Sequence, residues 1–120
     1  MPELRFGIIG AGAIGLEHIR NIDILEGARV SAVADTVPQS IEWAGEILTG
    51  QDVAYFSDVE ELLASPDVDA VIIGTPNYTH IDVLRLAMAS DKHLLCEKPL
   101  CTTIADCVEM LTQVAPLLHP

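Results

Sequence analysis

Three groups of residues in this chain have types and spacing that could do chemistry. The first is Gly10-Ala11-Gly12-Ala13-Ile14-Gly15, which fits a G-x-G-x-x-G pattern. Apolar Leu4, Phe6, Ile8 and Ile9 precede it, and Leu16, Ile19, Ile22 and Leu25 follow at helical spacing. The stretch therefore reads as strand, turn and helix. In that setting Gly10 allows the tight turn, Gly12 lets the backbone approach a pyrophosphate, and Gly15 lets the helix lie close to the strand. The run holds no Lys or Arg, and the nearest basic residue after it is Arg20. Phosphates would then sit on main-chain N–H groups of the helix N-terminus, around Ala13 and Ile14, where the dipole favours anions. Taken alone, the same run is equally an ordinary glycine turn.

The second candidate is Asp35, twenty residues beyond Gly15 and at the end of the next apolar run. An acidic side chain there can accept hydrogen bonds from adenosine ribose hydroxyls, and it repels a 2′-phosphate. No Lys or Arg occurs from Val30 to Leu84 to hold such a phosphate. NAD is therefore expected in preference to NADP. The competing reading of Asp35 is a helix cap.

The third group lies at two later strand ends. Thr75-Pro76-Asn77-Tyr78-Thr79-His80 follows one apolar run, and Glu97-Lys98-Pro99 follows another. In a doubly wound sheet, ligands bind beyond the carboxyl ends of the strands, so both would face the glycine run. Thr75, Pro76 and Asn77 form a turn, and Asn77 could instead cap the next helix. His80, taken by itself, reads first as a satisfied helix-start histidine. Oxidising an alcohol removes a hydride from carbon and a proton from oxygen. Lys98 could hold the hydroxyl and take that proton if its pKa were lowered. Glu97 would oppose this by favouring the ammonium, so the two side chains are not assumed to meet. A solvated charge pair at a strand end is the alternative.

The elements that must position these residues alternate regularly. Strands are expected over Leu4 to Ile9, Ala28 to Ala34, Val53 to Phe56, Val68 to Gly74 and Lys92 to Cys96. Helices are expected after the glycine run, from Pro38 to about Thr49, and after a Ser57-Asp58-Val59-Glu60 capping box. Two more are expected from Thr79 to Ser90 and after a Thr102 or Thr103 cap. On the last helix Ile104, Val108, Leu111 and Ala115 share one face, and Pro116 should stop it. The alternation predicts an α/β fold, a Rossmann-type doubly wound parallel sheet of strand order 3-2-1-4-5, forming one dinucleotide-binding domain over residues 1–120.

Composition narrows the partners. Half the residues are hydrophobic, as a globular core requires. Six basic residues against eighteen acidic ones give a net charge of -12, which disfavours nucleic acid and anionic membranes. No basic n-region follows Met1, no apolar run reaches membrane-spanning length, and three cysteines without framework spacing fit reduced thiols. A cytoplasmic protein without a metal site is expected.

In this order the motifs resemble the N-terminal half of the Gfo/Idh/MocA oxidoreductases, the group of glucose–fructose oxidoreductase and myo-inositol dehydrogenase. The matching residues are the glycine run with His18, Asp35, Asp67-Val68-Asp69-Ala70-Val71, Thr75-Pro76-Asn77 with His80, and Lys92-His93-Leu94-Leu95-Cys96-Glu97-Lys98-Pro99-Leu100. The resemblance implies NAD(P) binding and hydride transfer with a secondary alcohol of a sugar, cyclitol or derivative. It implies that Lys98 contacts the substrate hydroxyl and the nicotinamide, and that Glu97 lies near the nicotinamide ribose. It implies a cis peptide before Pro99. Asn77 and His80 would line the cofactor cleft, His80 chiefly as support. No role for His18 follows from it. Members continue into a C-terminal α/β domain that supplies substrate contacts, acid–base residues and the oligomer interface, which a chain of this length lacks. Little dehydrogenase activity is therefore expected from this polypeptide alone, with an inactive nucleotide-binding or regulatory module as the alternative. The uncovered strand edge near Leu94 and Leu95 suggests a homo-oligomer.

Overall fold

The structure, a computed structural model, describes residues 3–118. Its elements are β1 (Leu4–Ile9), α1 (Ala13–Asp23), β2 (Ala28–Ala34), α2 (Pro38–Ile47), β3 (Ala54–Phe56), α3 (Val59–Leu63), β4 (Ala70–Ile73), α4 (His80–Met88), β5 (His93–Cys96) and α5 (Ile104–Val114). Short 3₁₀ turns cover Asn77–Thr79 and Ala115–Leu118. Every strand pair is parallel, and the order is β3-β2-β1-β4-β5. This is the doubly wound sheet, in the strand order expected from the sequence.

Successive strand residues face opposite sides, so the sheet builds two cores. Ile8, Val33 and Ile72 join Leu16 and Ile19 of α1 and Ala44 of α2 on one face. Ile9, Val71 and Ile73 join Leu62 of α3, Leu84 of α4 and Met110 of α5 on the other. Central strands buried on both faces read as unbroken apolar runs, which is why β4 is legible. Truncating a side chain such as Ile9, fully buried, would cost about 2–5 kcal/mol. Arg5 on β1 clasps Asp69 ahead of β4: Nε donates to Oδ2 at 3.1 Å and an η nitrogen donates to Oδ1 at 3.0 Å. The paired guanidinium holds the Asp69 carboxyl down at about 2.

Several boundaries differ from expectation. α1 ends at Asp23, which leaves Leu25 exposed rather than on its buried face. β3 and β4 are shorter than predicted at their starts, beginning at Ala54 and Ala70. The cap of α3 is Asp58, whose Oδ1 accepts from the Glu60 N–H at 2.9 Å, and not Ser57 of the expected box. Thr103 caps α5, accepting from the Asp106 N–H at 3.1 Å. The apolar stripe that the sequence places on one face of α5 is turned to the outside. Ile104 is 86% exposed and Leu111 63%, while the helix packs through Met110 and half-buried Cys107. Arg85 of α4 adds a two-pronged pair to Glu109, both contacts at 2.9 Å.

Candidate functional site

The carboxyl ends of β1, β2 and β4 open on a cleft of about 620 Å³. Gly10, Gly12, Ala13 and Ile14 form one wall, Asp35 and Val37 another, and Thr75, Pro76 and Asn77 a third. No Lys, Arg or His lines it, so anion recognition there must come from main-chain amides.

The glycines have distinct local reasons. Gly10 has φ +93°, and a Cβ on it would stand 2.8 Å from the Gly74 carbonyl carbon. A Cβ on Gly15 would stand 1.8 Å from the Gly10 carbonyl oxygen, so α1 can start this close to β1 only with glycine there. Gly12 differs from both. Its φ is an ordinary −76°, and no protein atom lies within 4 Å of where its Cβ would be. The space in front of Gly12 is cleft. Gly12 is also the N-cap of α1, and no side chain caps that helix. The first amides of α1 thus present an uncapped, positive helix end to the open cleft, which is a fit for a pyrophosphate.

Asp35 takes part in the loop architecture. Its Oδ2 accepts from the Ala11 N–H at 2.7 Å, and its Oδ1 accepts from the Val37 N–H at 2.8 Å. The carboxylate thereby braces the glycine loop against the start of α2. It is not the N-cap of α2, a place held by Val37. Each oxygen keeps a second acceptor direction, so hydroxyl donors in the cleft remain within its capacity.

Beyond β4, Thr79 Oγ1 donates within the turn, to Thr75 Oγ1 at 2.8 Å or the Pro76 carbonyl at 2.6 Å. Asn77 lies in the 3₁₀ turn, exposed, and makes no capping bond, so the helix-cap alternative fails. His80 is fully buried and is not on the cleft wall as expected. Its Nε2 lies 2.9 Å from the Thr75 carbonyl oxygen and its Nδ1 2.7 Å from that of Pro99. It joins the loop after β4 to the loop after β5.

Glu97 and Lys98 follow β5, outside the cleft lining. The Lys98–Pro99 peptide is cis, as the resemblance implied. Lys98 is exposed. Glu97 turns away from it: Oε1 lies 2.5 Å from His18 Nε2 on α1. Sequence reasoning had no role for His18, and with the partners 79 positions apart no local signal could reveal the pairing. Neighbouring Cys96 is pushed up to about 11, chiefly by burial, then by Cys101 and by Glu97, so its thiol stays protonated and unreactive near neutrality. Among the described residues no group of three or more His, Cys, Asp or Glu is placed to hold a metal, and no helix is long and apolar enough to cross a membrane.

Residues 4–116 match the model of an oxidoreductase family with an NAD-binding Rossmann fold. The chain is 41% identical over 101 residues to an inositol 2-dehydrogenase of Agrobacterium fabrum, covering 83% of this chain and 30% of that protein. It superposes on a myo-inositol dehydrogenase of Lactobacillus casei, solved in complex with NAD(H) and myo-inositol. There the TM-score is 0.87 and the identity 31%, over 95% of this chain and 34% of the other. A scyllo-inositol dehydrogenase from Lactobacillus casei, with bound NAD(H) and scyllo-inositol, gives a TM-score of 0.84 at 28% identity, over 95% and 33% of the two chains. The chain spans about a third of the length of these relatives. A family match over nearly every described residue, on a sheet of the required order with the glycine loop at its switch point, establishes that this chain belongs to the Gfo/Idh/MocA oxidoreductases and carries their NAD-binding Rossmann fold.

Proposed function

We propose that the chain is the coenzyme-binding part of a dehydrogenase that moves hydride between NAD(H) and a secondary alcohol of a cyclitol or related sugar. The observation that carries this reading is Gly12, an uncapped helix start with open cleft where a side chain would be. In this reading the amides from Gly12 to Gly15 hold the pyrophosphate, and Asp35 accepts from the adenosine ribose. Thr75, Pro76 and Asn77 bound the cleft toward the nicotinamide end, and Glu97 lies near its ribose. NAD supplies the hydride acceptor. Lys98 holds the substrate hydroxyl and takes its proton, while His80 supports both loops from behind. NAD is preferred over NADP, because Asp35 repels a 2′-phosphate and the cleft offers no cation to bind one.

The cyclitol class rests on the inositol dehydrogenases that the chain resembles. Substrate contacts beyond Lys98 belong to a C-terminal domain of the kind their greater length accommodates. The three free cysteines fit the reducing cytoplasm. Exposed Leu95, Val108 and Leu111 favour self-association. Calorimetric titration with NAD and NADP is the direct test. Tight NAD and weak NADP binding are expected, and the 120-residue polypeptide should turn over inositols at no appreciable rate. Absence of NAD binding by a folded chain would refute the reading.

A further inference from the structure

Glu97 and Lys98 are adjacent in sequence but their side chains part. The Glu97 backbone is fixed by its N–H donating to the Ile73 carbonyl at 3.0 Å. Its carboxylate swings to α1, where His18 Nε2 meets it at 2.5 Å, with the two side chains 25% and 29% exposed. Among the described residues Lys98 joins no ion pair, although a carboxylate stands next to it in the chain. Left alone, that carboxylate would reach for the ammonium and stabilise it, which is the wrong influence on a group that must accept a proton.

We propose that His18 is a positioning residue: it holds the Glu97 carboxylate against α1 and so leaves Lys98 free to take the hydroxyl proton. The proposal rests on the reading of Lys98 as that acceptor. The chemistry suits a histidine. A carboxylate only accepts, so in this contact Nε2 must carry a proton. The surroundings do not supply a substitute. On α1, Glu17 and Arg20 pair with each other at 3.6 Å. On the β5 side stand the protonated Cys96 thiol and Lys98 itself. The same contact ties the helix that begins at the glycine loop to the loop that carries the lysine.

The chain contains two lysines, Lys92 and Lys98, which makes the test direct. Reductive ¹³C-methylation keeps both amines titratable, and their NMR signals report each midpoint. Lys92, whose ammonium donates to the Ser65 carbonyl at 2.8 Å, is the internal control for the fold. His18→Ala should raise the Lys98 midpoint by about half a unit, leaving about threefold less free amine at a fixed pH, as for one partly exposed charge. His18→Gln, whose amide still donates, should restore most of the original midpoint. In a Glu97→Gln background His18→Ala should shift nothing. A Lys98 midpoint that ignores His18→Ala while Lys92 reports an intact fold would overturn the proposal, as would a shift that survives Glu97→Gln. Imidazole ¹⁵N spectra of the unmutated chain need no variant to fold: an unprotonated Nε2 on His18 overturns the proposal as well. None of these readouts involves turnover. Failure of the Lys98 reading itself would appear separately, as undiminished hydride transfer by Lys98→Met in an enzyme with its substrate domain.

Discussion

Substituting alanine at Gly12 and at Gly15 should produce opposite phenotypes, though the two glycines are three residues apart in one motif. At Gly15 a methyl would stand 1.8 Å from the Gly10 carbonyl oxygen, against a practical minimum near 3 Å. The neighbour is backbone and cannot rotate away, so α1 must retreat by more than an ångström. Overpacking of that kind costs about 1–3 kcal/mol or more. At Gly12 the methyl meets nothing within 4 Å, and the backbone is already one that alanine adopts. The small gain from a stiffer unfolded chain and the small loss at an N-cap nearly cancel, leaving stability within about 0.5 kcal/mol. That methyl does occupy the place where a pyrophosphate would approach. Thermal unfolding by circular dichroism, with and without NAD, reads both effects. At NAD a hundredfold above its Kd the unmutated chain should gain about 2.7 kcal/mol, or roughly 10 °C in Tm. Gly12→Ala should keep the apo Tm and lose most of the NAD increment. Gly15→Ala should lower the apo Tm by several degrees. If Gly12→Ala unfolded early yet kept its NAD response, the assignment of the cleft would be wrong.

Other outcomes follow from the same geometry. Asp35→Ala removes the acceptor for the Ala11 and Val37 amides along with the ribose contact, so NAD affinity should fall by tenfold or more in calorimetry and the NAD/NADP ratio should shrink. His80→Phe removes the shared partner of the part-buried Thr75 and Pro99 carbonyls and should cost about 1–3 kcal/mol in urea unfolding. Asp69 is depressed in the fold to about 2, so its stabilising contribution is present above the ordinary aspartate range and is lost as pH falls from about 4 toward 2. Asp69→Asn should flatten that stretch of the acid-unfolding curve, and an unchanged curve would count against the clasp with Arg5.

Much of this was legible because it is local. β4 announces itself as an unbroken apolar run and β1 as one interrupted by Arg5, and the glycine run sits where strand period gives way to helix period. Strand order followed from handed crossovers and the place of the switch point. Contacts between distant residues were not legible. Nothing near His18 or near Glu97 in sequence says that they touch. The second duty of Asp35, bracing the Ala11 amide, is likewise a property of the folded loop. Ser57 and Asp58 are both good caps, and only the extended backbone at Asp58 decides between them. α5 shows the limit of periodicity. Periodicity correctly marks Ile104, Val108 and Leu111 as one stripe, but it carries no information about whether anything lies against that stripe.

The grip on α5 has a dynamic consequence. One buried methionine, a half-covered cysteine and the Arg85 fork fasten eleven residues of helix, while its oiliest side faces water. Such a segment should open on its own, well before the sheet does. Amide exchange along Ile104–Val114 should then run orders of magnitude faster than in β1 or β4, and a protease should nick there first. In this polypeptide the last helix behaves as a hinged flap on a rigid slab.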